Sequence, residues 1–192
     1  MEDKPRVVVL LGAPGAGKGT QGMRLAARAG IAHISTGDLF RDAVAAGSPA
    51  GQRAESYLKN GQLVPDQVVL QLLEEYLGEV ESLGICLDGF PRTYEQAVAL
   101  DELLSHCGLS IMLVLHLHVA DSIALERLVE RGRVDDTIDT ARYRLEVYHA
   151  ATEPLIKYYD EIGLLREIDG SDDADAVESR VWDTVETALN LR

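Results

Sequence analysis

A run of aliphatic residues that breaks into a glycine-rich loop is the feature that most constrains the fold of this chain. Residues 7–11 read VVVLL, and residues 12–20 read GAPGAGKGT, with three glycines inside five residues. Glycine adopts backbone conformations closed to residues with a Cβ, so successive N–H groups of such a loop can turn inward around an anion. Lys18 adds a positive charge, and the helical spacing after Gly19 places a helix N-terminus at the loop. These residues predict a strand that leads into a phosphate-binding loop.

The spacing of this loop departs from the strict phosphate-loop pattern by one position. The pattern G-x-x-x-x-G-K is satisfied, but Gly19 follows Lys18 and the hydroxyl comes only at Thr20. The sequence therefore leaves open whether Thr20 contacts a magnesium ion directly or through water. A tight turn of an α/β protein is the alternative interpretation, but such a turn has no need of a lysine at its centre.

The length and composition fit one domain. Hydrophobic residues make up 46% of the 192 residues, enough to bury one core. No window approaches the apolar length of a transmembrane helix, and residues 1–5 contain no signal-peptide core, so we expect a cytoplasmic protein with no membrane partner. The formal net charge of −14 argues against nucleic acid as a partner, so any anionic ligand must be held by local cationic groups.

The cysteines and one pair of histidines give no metal-site pattern. Cys86 and Cys107 lack C-x-x-C spacing, and we favour structural thiols over a disulfide or a metal site. His116 and His118 would share one face of a strand, but metal ligation needs further partners. We therefore favour packed or surface histidines at these two positions.

Apolar runs alternate with helical spacing along most of the chain. This alternation predicts a parallel sheet with helices packed on it. Residues 36–65 are predicted to form a helical insertion, in which we interpret Asp38 as a helix cap in preference to a metal ligand. The predicted strands lie near residues 6–11, 84–87, 111–119 and 164–168, and the later helices cover about 140–159, with a bend near Pro154, and 174–191.

Polar clusters follow the predicted strands, at the edge where ligands collect in open α/β sheets. They comprise the Lys18 loop, residues 36–41, 88–92 and 170–171, and a cationic group of Arg131, Arg133 and Arg144. This is more phosphate-binding capacity than one nucleotide requires. It favours phosphoryl transfer, where catalysis consists mainly of alignment and charge neutralisation. An acceptor phosphate has a second pKa near ~6 and arrives ionised, so no general base is needed.

Six motifs, in family order, resemble those of the adenylate kinase family, and the resemblance covers nearly the whole chain. They are GAPGAGKGTQ at residues 12–21, STGDLFR at 35–41, GQLVP at 61–65, DGFPRTYEQ at 88–96, RGRVDD at 131–136 and YHAATEP at 148–154. The resemblance implies an α/β fold of the P-loop NTPase class, with a parallel sheet and helices on both faces. It also implies a single kinase domain over residues 1–192, with a nucleoside-monophosphate-binding insertion at about 35–64 and a short lid at about 130–137.

The resemblance implies a role for each matching residue. ATP would be bound by Gly15, Ala16, Gly17, Lys18, Gly19, Thr20, Arg131 and the backbone near Gly170. AMP would be bound by Thr36, Arg41, Gln62, Leu63, Val64, Gly89, Phe90, Pro91, Arg92, Gln96, Arg133 and Arg144, with Gln96 at the adenine. The catalytic side chains would be those of Lys18, Arg92, Arg131, Arg133 and Arg144. Asp88 would hold Mg²⁺ through the water shell of the ion, with no direct metal ligand from the protein.

The lid implied by the resemblance is short, because Gly132 alone separates Arg131 from Arg133. Many family members carry a much longer segment at this point, sometimes with a zinc site, so we expect no structural zinc in this chain. Single residues keep simpler alternatives. Arg144 could form only an ion pair on a helix surface, and Arg133 could lie in a solvated turn with Asp135 and Asp136. Gln96 could be an ordinary exposed helical glutamine.

The residues and the resemblance together predict transfer of the terminal phosphoryl group of Mg-ATP to AMP, giving two ADP, by a monomer. A kinase of UMP or CMP on the same fold is the nearest alternative, although Thr36 and Gln96 favour adenine. A P-loop switch is a second alternative, but Arg41 and Arg92 suggest a second phosphate site that a switch does not need. A structural factor with a vestigial site is a third.

Overall fold

The protein is built on a parallel sheet, seen in a computed structural model that describes residues 6–78, 82, 84–133 and 137–188. Within these residues five strands form one sheet in the order β2-β3-β1-β4-β5, and every neighbouring pair is parallel. The strands are β1 (Arg6–Gly12), β2 (Ala32–Ser35), β3 (Gly84–Asp88), β4 (Ser110–His118) and β5 (Leu165–Asp169).

Helices connect the strands, as parallel pairing requires. A π-helical segment, Tyr148–Thr152, joins two of them. The helices are α1 (Lys18–Ala29), α2 (Thr36–Ala45), α3 (Pro49–Lys59), α4 (Asp66–Leu77), α5 (Tyr94–His106), α6 (Asp121–Arg131), α7 (Ile138–Val147), α8 (Pro154–Glu161) and α9 (Ala174–Ala188).

The central strand β1 is buried in two cores. Val7, Val9 and Leu11 belong to one buried cluster, which includes residues of α4 and α5. Val8 and Leu10 belong to a second cluster, which includes residues of α1 and α9. Successive side chains of a strand point to opposite faces, so a strand covered on both sides reads as one continuous apolar run. The predicted α/β fold with helices on both faces is confirmed.

The sequence interpretation missed one strand and misplaced one helix cap. Ala32–Ser35 is β2, an edge strand that pairs with β3, and its four residues alternate in polarity instead of forming an apolar run. Helix α2 begins directly after this strand. The Oγ atom of Ser35 accepts a hydrogen bond from the backbone N–H of Asp38, with N and Oγ 3.3 Å apart. Ser35 is therefore the cap, and the prediction that Asp38 caps the helix is wrong.

The bend predicted near Pro154 coincides with the π-helical segment. α7 ends at Val147, the segment follows, and Pro154 occupies the first position of α8. Proline is tolerated in a first helical turn, so Pro154 can begin α8. The change in helical geometry comes just before it, in the π-helical segment. The last predicted helix is α9, and residues 189–191 lie outside the described residues.

The cysteines and histidines fit a structural role for the buried members. Both cysteines are free: Cys86 is buried in β3, whereas Cys107 is exposed at the end of α5. His116 is buried between Tyr148 and the edge of β5, and His118 is exposed on the same strand. In the part of the chain that the structure describes, no helix is both long and apolar enough to cross a membrane.

Candidate active site

A cavity of about 520 Å³ lies at the carboxyl ends of β1, β2 and β3. Ligands of doubly wound sheets collect at this edge, because the loops that follow neighbouring strands meet there. The structure brings most of the predicted site residues to its wall: Gly15, Gly17, Lys18, Gly19, Thr20, Arg41, Gln62, Leu63, Asp88, Gly89, Pro91, Arg92, Arg131, Arg133 and Arg144.

A smaller pocket, here called the side pocket, adjoins this cavity. The two share the lining residues Gly37, Leu58, Gln62, Leu63, Gly89 and Arg92. The wall of the side pocket is largely apolar, with a few polar groups, and its volume is about 40 Å³. The remaining residues predicted to bind AMP line this pocket, namely Thr36, Val64, Phe90 and Gln96, together with Phe40, Leu58 and Val69.

The glycine-rich loop is shaped by contacts that exclude side chains. Gly15 has φ +88°, and a Cβ at this position would lie 2.2 Å from the carbonyl oxygen of Ala124 in α6. Gly17 has φ +93° but meets nothing within 4 Å. Gly15 is therefore required by both conformation and space, and Gly17 by conformation alone. This packing holds the loop and the N-terminus of α1 against α6.

The ammonium group of Lys18 folds back over its own loop. Its Nζ atom donates to the carbonyl oxygens of Gly12 at 2.8 Å and Ala13 at 2.9 Å. The pKa of Lys18 is lowered to about 8, mainly by burial; the charge of Asp88 opposes this shift, and the charges of Arg92 and Arg131 add to it. A cation held in such surroundings is better stabilised by a bound anion than by the loop carbonyls.

A carboxylate stands where two of the predicted phosphate-binding arginines meet. Asp38 Oδ1 accepts a hydrogen bond from Arg41 Nη2 and lies 3.6 Å from Arg133 Nη2. Partial burial acts to raise the pKa of Asp38, but bonds from Arg41 and Ser35 and the charge of Arg133 outweigh it, so the pKa lies below its ordinary value. Asp38 therefore joins the start of the helical insertion to the segment that contains Arg133.

Arg92 lines both the cavity and the side pocket. Its Nε atom donates to the carbonyl oxygen of Gly89 at 2.7 Å, which fixes the base of the guanidinium. The enclosing protein lowers the pKa of Arg92, and the charges of Arg144 and Arg41 add to this effect, while Asp88 opposes it. Cations gathered in one partly enclosed cavity are neutralised most effectively by an anionic ligand.

Simpler roles were open for Arg133, Arg144 and Gln96, and their surroundings in the structure bear on each. Arg133 and Arg144 both line the cavity, and Arg133 also lies near the carboxylate of Asp38. The rest of the turn proposed for Arg133, with Asp135 and Asp136, lies outside the described residues. Gln96 is 2% exposed, so its interpretation as an ordinary exposed glutamine is wrong. The amide of Gln96 is bonded on both sides, since Nε2 donates to Asp66 Oδ1 at 2.6 Å and Oε1 accepts from the backbone N–H of Arg92 at 2.7 Å.

Gly170 lies beside the glycine-rich loop, behind the cavity wall. Its N–H donates to the carbonyl oxygen of His118 at 2.9 Å, and a Cβ at this position would lie 3.4 Å from the carbonyl oxygen of Ala16. Ala16 itself is buried. The loop that follows β5 is therefore held next to the loop that follows β1, and Gly170 itself is not among the residues that line the cavity.

The sequence interpretation missed Arg127, which also lines the cavity. Its guanidinium donates to three successive carbonyl oxygens, those of Gly170 at 2.8 Å, Ser171 at 3.0 Å and Asp172 at 3.0 Å. The signal that could have found it is its spacing, because Arg127 stands four residues before Arg131 and so shares its face of α6. Arg127 holds the loop after β5 in place.

The π-helical segment contributes to the same site. Tyr148 and Thr152 line the cavity, and Thr152 Oγ1 donates to the carbonyl oxygen of Arg92 at 3.0 Å. Neither was predicted as a site residue. Among the described residues, no group of three or more histidine, cysteine, aspartate or glutamate side chains is arranged to hold a metal ion. Asp88 lies at the cavity beside Gly19 in the glycine-rich loop, a position suited to a hydrated cation.

The chain matches a family model described as "Adenylate kinase" over residues 10–164. The chain belongs to the adenylate kinase family. It is 47% identical over 175 residues to adenylate kinase 1 of Synechocystis sp., covering 91% of this chain and 94% of that protein. It is 44% identical over 183 residues to adenylate kinase of Thermus thermophilus, covering 93% and 96% of the two chains. For adenylate kinase of Deinococcus radiodurans the identity is 43% over 190 residues, covering 94% and 96%.

Membership of the adenylate kinase family agrees with the geometry of the cavity. The predicted identity of the chain as an α/β phosphotransferase is confirmed.

Proposed function

We propose that this chain catalyses the reversible transfer of the terminal phosphoryl group of Mg-ATP to AMP, giving two ADP. One observation carries this assignment: the glycine-rich loop with Lys18 and the side chains of Arg41, Arg92 and Arg144 line one and the same cavity. Two anions can therefore meet end to end in a single enclosed space. Such alignment supplies a large part of the rate of phosphoryl transfer.

The donor is bound on the side of the loop. The N–H groups of Gly15 to Thr20 and the N-terminus of α1 bind the ATP phosphates. Lys18 leaves its two carbonyl partners and follows the transferred phosphoryl group, whose charge is a better partner for a poorly solvated ammonium. Arg131 lies over ATP, and Arg127, which lines the cavity, holds the loop at Gly170 whose backbone we assign to the donor base.

The acceptor is bound in the side pocket and at its mouth. Thr36, Gln96 and the segment Gln62 to Val64 surround the adenine, and Gly89 to Pro91 complete the wall. Arg41 and Arg92 bind the AMP phosphate. Arg133 and Arg144 span both phosphate groups, so they neutralise the charge that develops between donor and acceptor.

Magnesium is expected at Asp88, through water and with ATP. A single carboxylate next to the loop suits Mg²⁺, which retains several waters and takes its other ligands from the phosphates. When bound, the ion would neutralise negative charge on the phosphate oxygens. Thr20 lines the same cavity, and its hydroxyl would contact the ion either directly or through a water molecule.

No general base is part of this proposal. The acceptor phosphate is ionised, so the protein has to align, neutralise and exclude water. We assign water exclusion to the short lid, residues 130–137, and to the insertion, residues 35–64, of a single kinase domain. The contact between Asp38 and Arg133 supports this division, because it spans the two parts. The expected working form is a cytoplasmic monomer without structural zinc.

Steady-state assays with different acceptors test the proposal. Purified protein and Mg-ATP should turn over AMP with a higher kcat/KM than UMP, CMP or GMP. Faster turnover of UMP or CMP would replace adenylate kinase activity by pyrimidine nucleotide kinase activity. Tight ATP binding without turnover of any monophosphate would instead support a switch.

A further inference from the structure

The side-chain amide of Gln96 is held in one orientation by two partners from different parts of the chain. Asp66, the first residue of α4, accepts from Nε2 at 2.6 Å. The backbone N–H of Arg92 donates to Oε1 at 2.7 Å. Gln96 itself is buried and lines the side pocket, whereas Asp66 is exposed.

The chemistry of these partners determines which end of the amide is which. A carboxylate oxygen only accepts and a backbone N–H only donates, so the NH₂ group must face Asp66 and the carbonyl oxygen must face Arg92. Turning the amide by half a revolution would break both bonds. It would also place Oε1 against a carboxylate oxygen, a contact between two acceptors.

The same two bonds leave a defined pattern for a ligand. An amide has two N–H groups and two lone pairs on its oxygen, so one donor and one acceptor of Gln96 are left after Asp66 and Arg92 are satisfied. A 6-aminopurine offers the complementary pair, an amine that donates and a ring nitrogen that accepts. A 6-oxopurine offers the reverse, a carbonyl that accepts and a ring N–H that donates.

We propose that Asp66 sets the base specificity of the acceptor pocket by locking the Gln96 amide in the orientation that fits a 6-aminopurine and opposes a 6-oxopurine. The inference rests on the proposed function only in placing the base of the acceptor in the side pocket. Asp66 is a positioning residue, because it acts through Gln96 and needs no contact with the base. A 6-oxopurine would have to reverse the amide against both Asp66 and Arg92, and this cost disfavours it.

The test compares AMP with inosine monophosphate, which differ in the base only at the six position and at the adjoining ring nitrogen. In Asp66→Asn the new amide can donate to a reversed Gln96, so reversal costs the bond to Arg92 alone. The ratio of kcat/KM for AMP to that for inosine monophosphate should fall about tenfold, the effect of roughly one hydrogen bond. The fall should appear mainly in KM, with the KM for ATP unchanged.

Two further variants decide between positioning and a general structural effect. Asp66→Ala removes the bond to residue 66 in both amide orientations, so reversal again costs only the bond to Arg92, and the same ratio should fall about tenfold. Asp175→Asn removes the same charge from the first turn of α9 and should leave the ratio as in the wild type. Thermal unfolding should show all three variants folded, because both aspartates are exposed. A ratio within twofold of the wild type in the folded Asp66 variants would overturn the inference.

Binding measurements separate this inference from the proposed function. Calorimetry gives the affinities of wild type and variants for AMP and inosine monophosphate without any turnover. A wild type that prefers AMP, with a preference reduced in Asp66→Asn, supports the inference even if no phosphoryl transfer occurs. Equal affinities in the wild type would overturn it, whatever the kinase activity.

Discussion

Replacing Lys18 by methionine should remove kinase activity and yet stabilise the ligand-free protein at neutral pH. Methionine keeps most of the length of the side chain and removes its charge. Activity should fall on the order of 10³-fold in kcat, because a charge that stabilises the transferring phosphoryl group is lost. The expected gain in stability comes from the cost of burying the ammonium group.

The magnitude follows from the pKa of Lys18, which burial lowers from 10.5 to about 8. At pH 7 this shift corresponds to a cost of about 3 kcal/mol for the charged form in the folded state. Methionine removes that cost but also loses two hydrogen bonds, to the carbonyls of Gly12 and Ala13, each worth about 1 kcal/mol. The variant should therefore be about 1 kcal/mol more stable than the wild type at pH 7.

The sign should change at alkaline pH. The lowered pKa means that the unfolded chain binds the proton more tightly than the folded one, so the stability of the wild type rises between pH 8 and 10.5. At pH 10 the cost of charge falls to about 1 kcal/mol, and the lost hydrogen bonds then make the variant about 1 kcal/mol less stable.

Denaturant unfolding of both proteins without nucleotide, at pH 7 and pH 10, measures this difference. Lys59→Met is the matched control, since Lys59 is exposed and pairs with Glu55, and it should change stability by less than about 0.5 kcal/mol at either pH. Two results would refute the reasoning: a Lys18→Met protein less stable than the wild type at pH 7, or a difference that does not depend on pH.

Three other predictions concern the loop, the acceptor site and the surface. In denaturant unfolding, Gly15→Ala should destabilise the protein by more than about 2 kcal/mol and Gly17→Ala by about 1 kcal/mol. Both changes strain the backbone, but only the new Cβ at position 15 also meets a backbone oxygen, so equal losses of stability in the two variants would contradict this prediction. Arg92→Ala should lower kcat/KM for AMP on the order of 10³-fold, whereas calorimetry should show ATP affinity nearly unchanged, and unchanged turnover of AMP would exclude the assigned role. The pKa of His149 is raised by its hydrogen bond to Glu153 and by a second carboxylate, so the charged imidazole stabilises the folded state. His149→Gln should therefore lower the melting temperature below pH 6.5, and this loss should disappear as the pH rises through the raised pKa of His149. A change in melting temperature that does not depend on pH would contradict the prediction.

The sequence predicted the loop and the sheet well because both depend on local, repeated signals. An apolar run followed by glycines at fixed spacing permits few structures, and β1 with its loop matches that pattern. The strand β2 escaped prediction because an edge strand of four residues carries little periodicity. Its place at the edge, beside β3, is set by long-range pairing that no local signal reveals.

Site residues were predictable where a motif names them and less so where only packing brings them in. Arg127 holds the loop at Gly170 from a different element, and Asp66 bonds to Gln96 from thirty positions away. These contacts depend on how the helices pack, so spacing within one helix was the only available hint for Arg127. The burial of Gln96 has the same origin, because a helical face is covered by whatever the fold places against it.

The central claim is that two nucleotides meet end to end in one cavity, and calorimetry with a bisubstrate mimic tests it most directly. The mimic joins two adenosines through five phosphates. The account predicts that one mimic binds per chain, more tightly than ATP or AMP, and that each of the two nucleotides competes with it. Binding of two mimics per chain, or a bound mimic that leaves the affinity for AMP unchanged, would contradict the account.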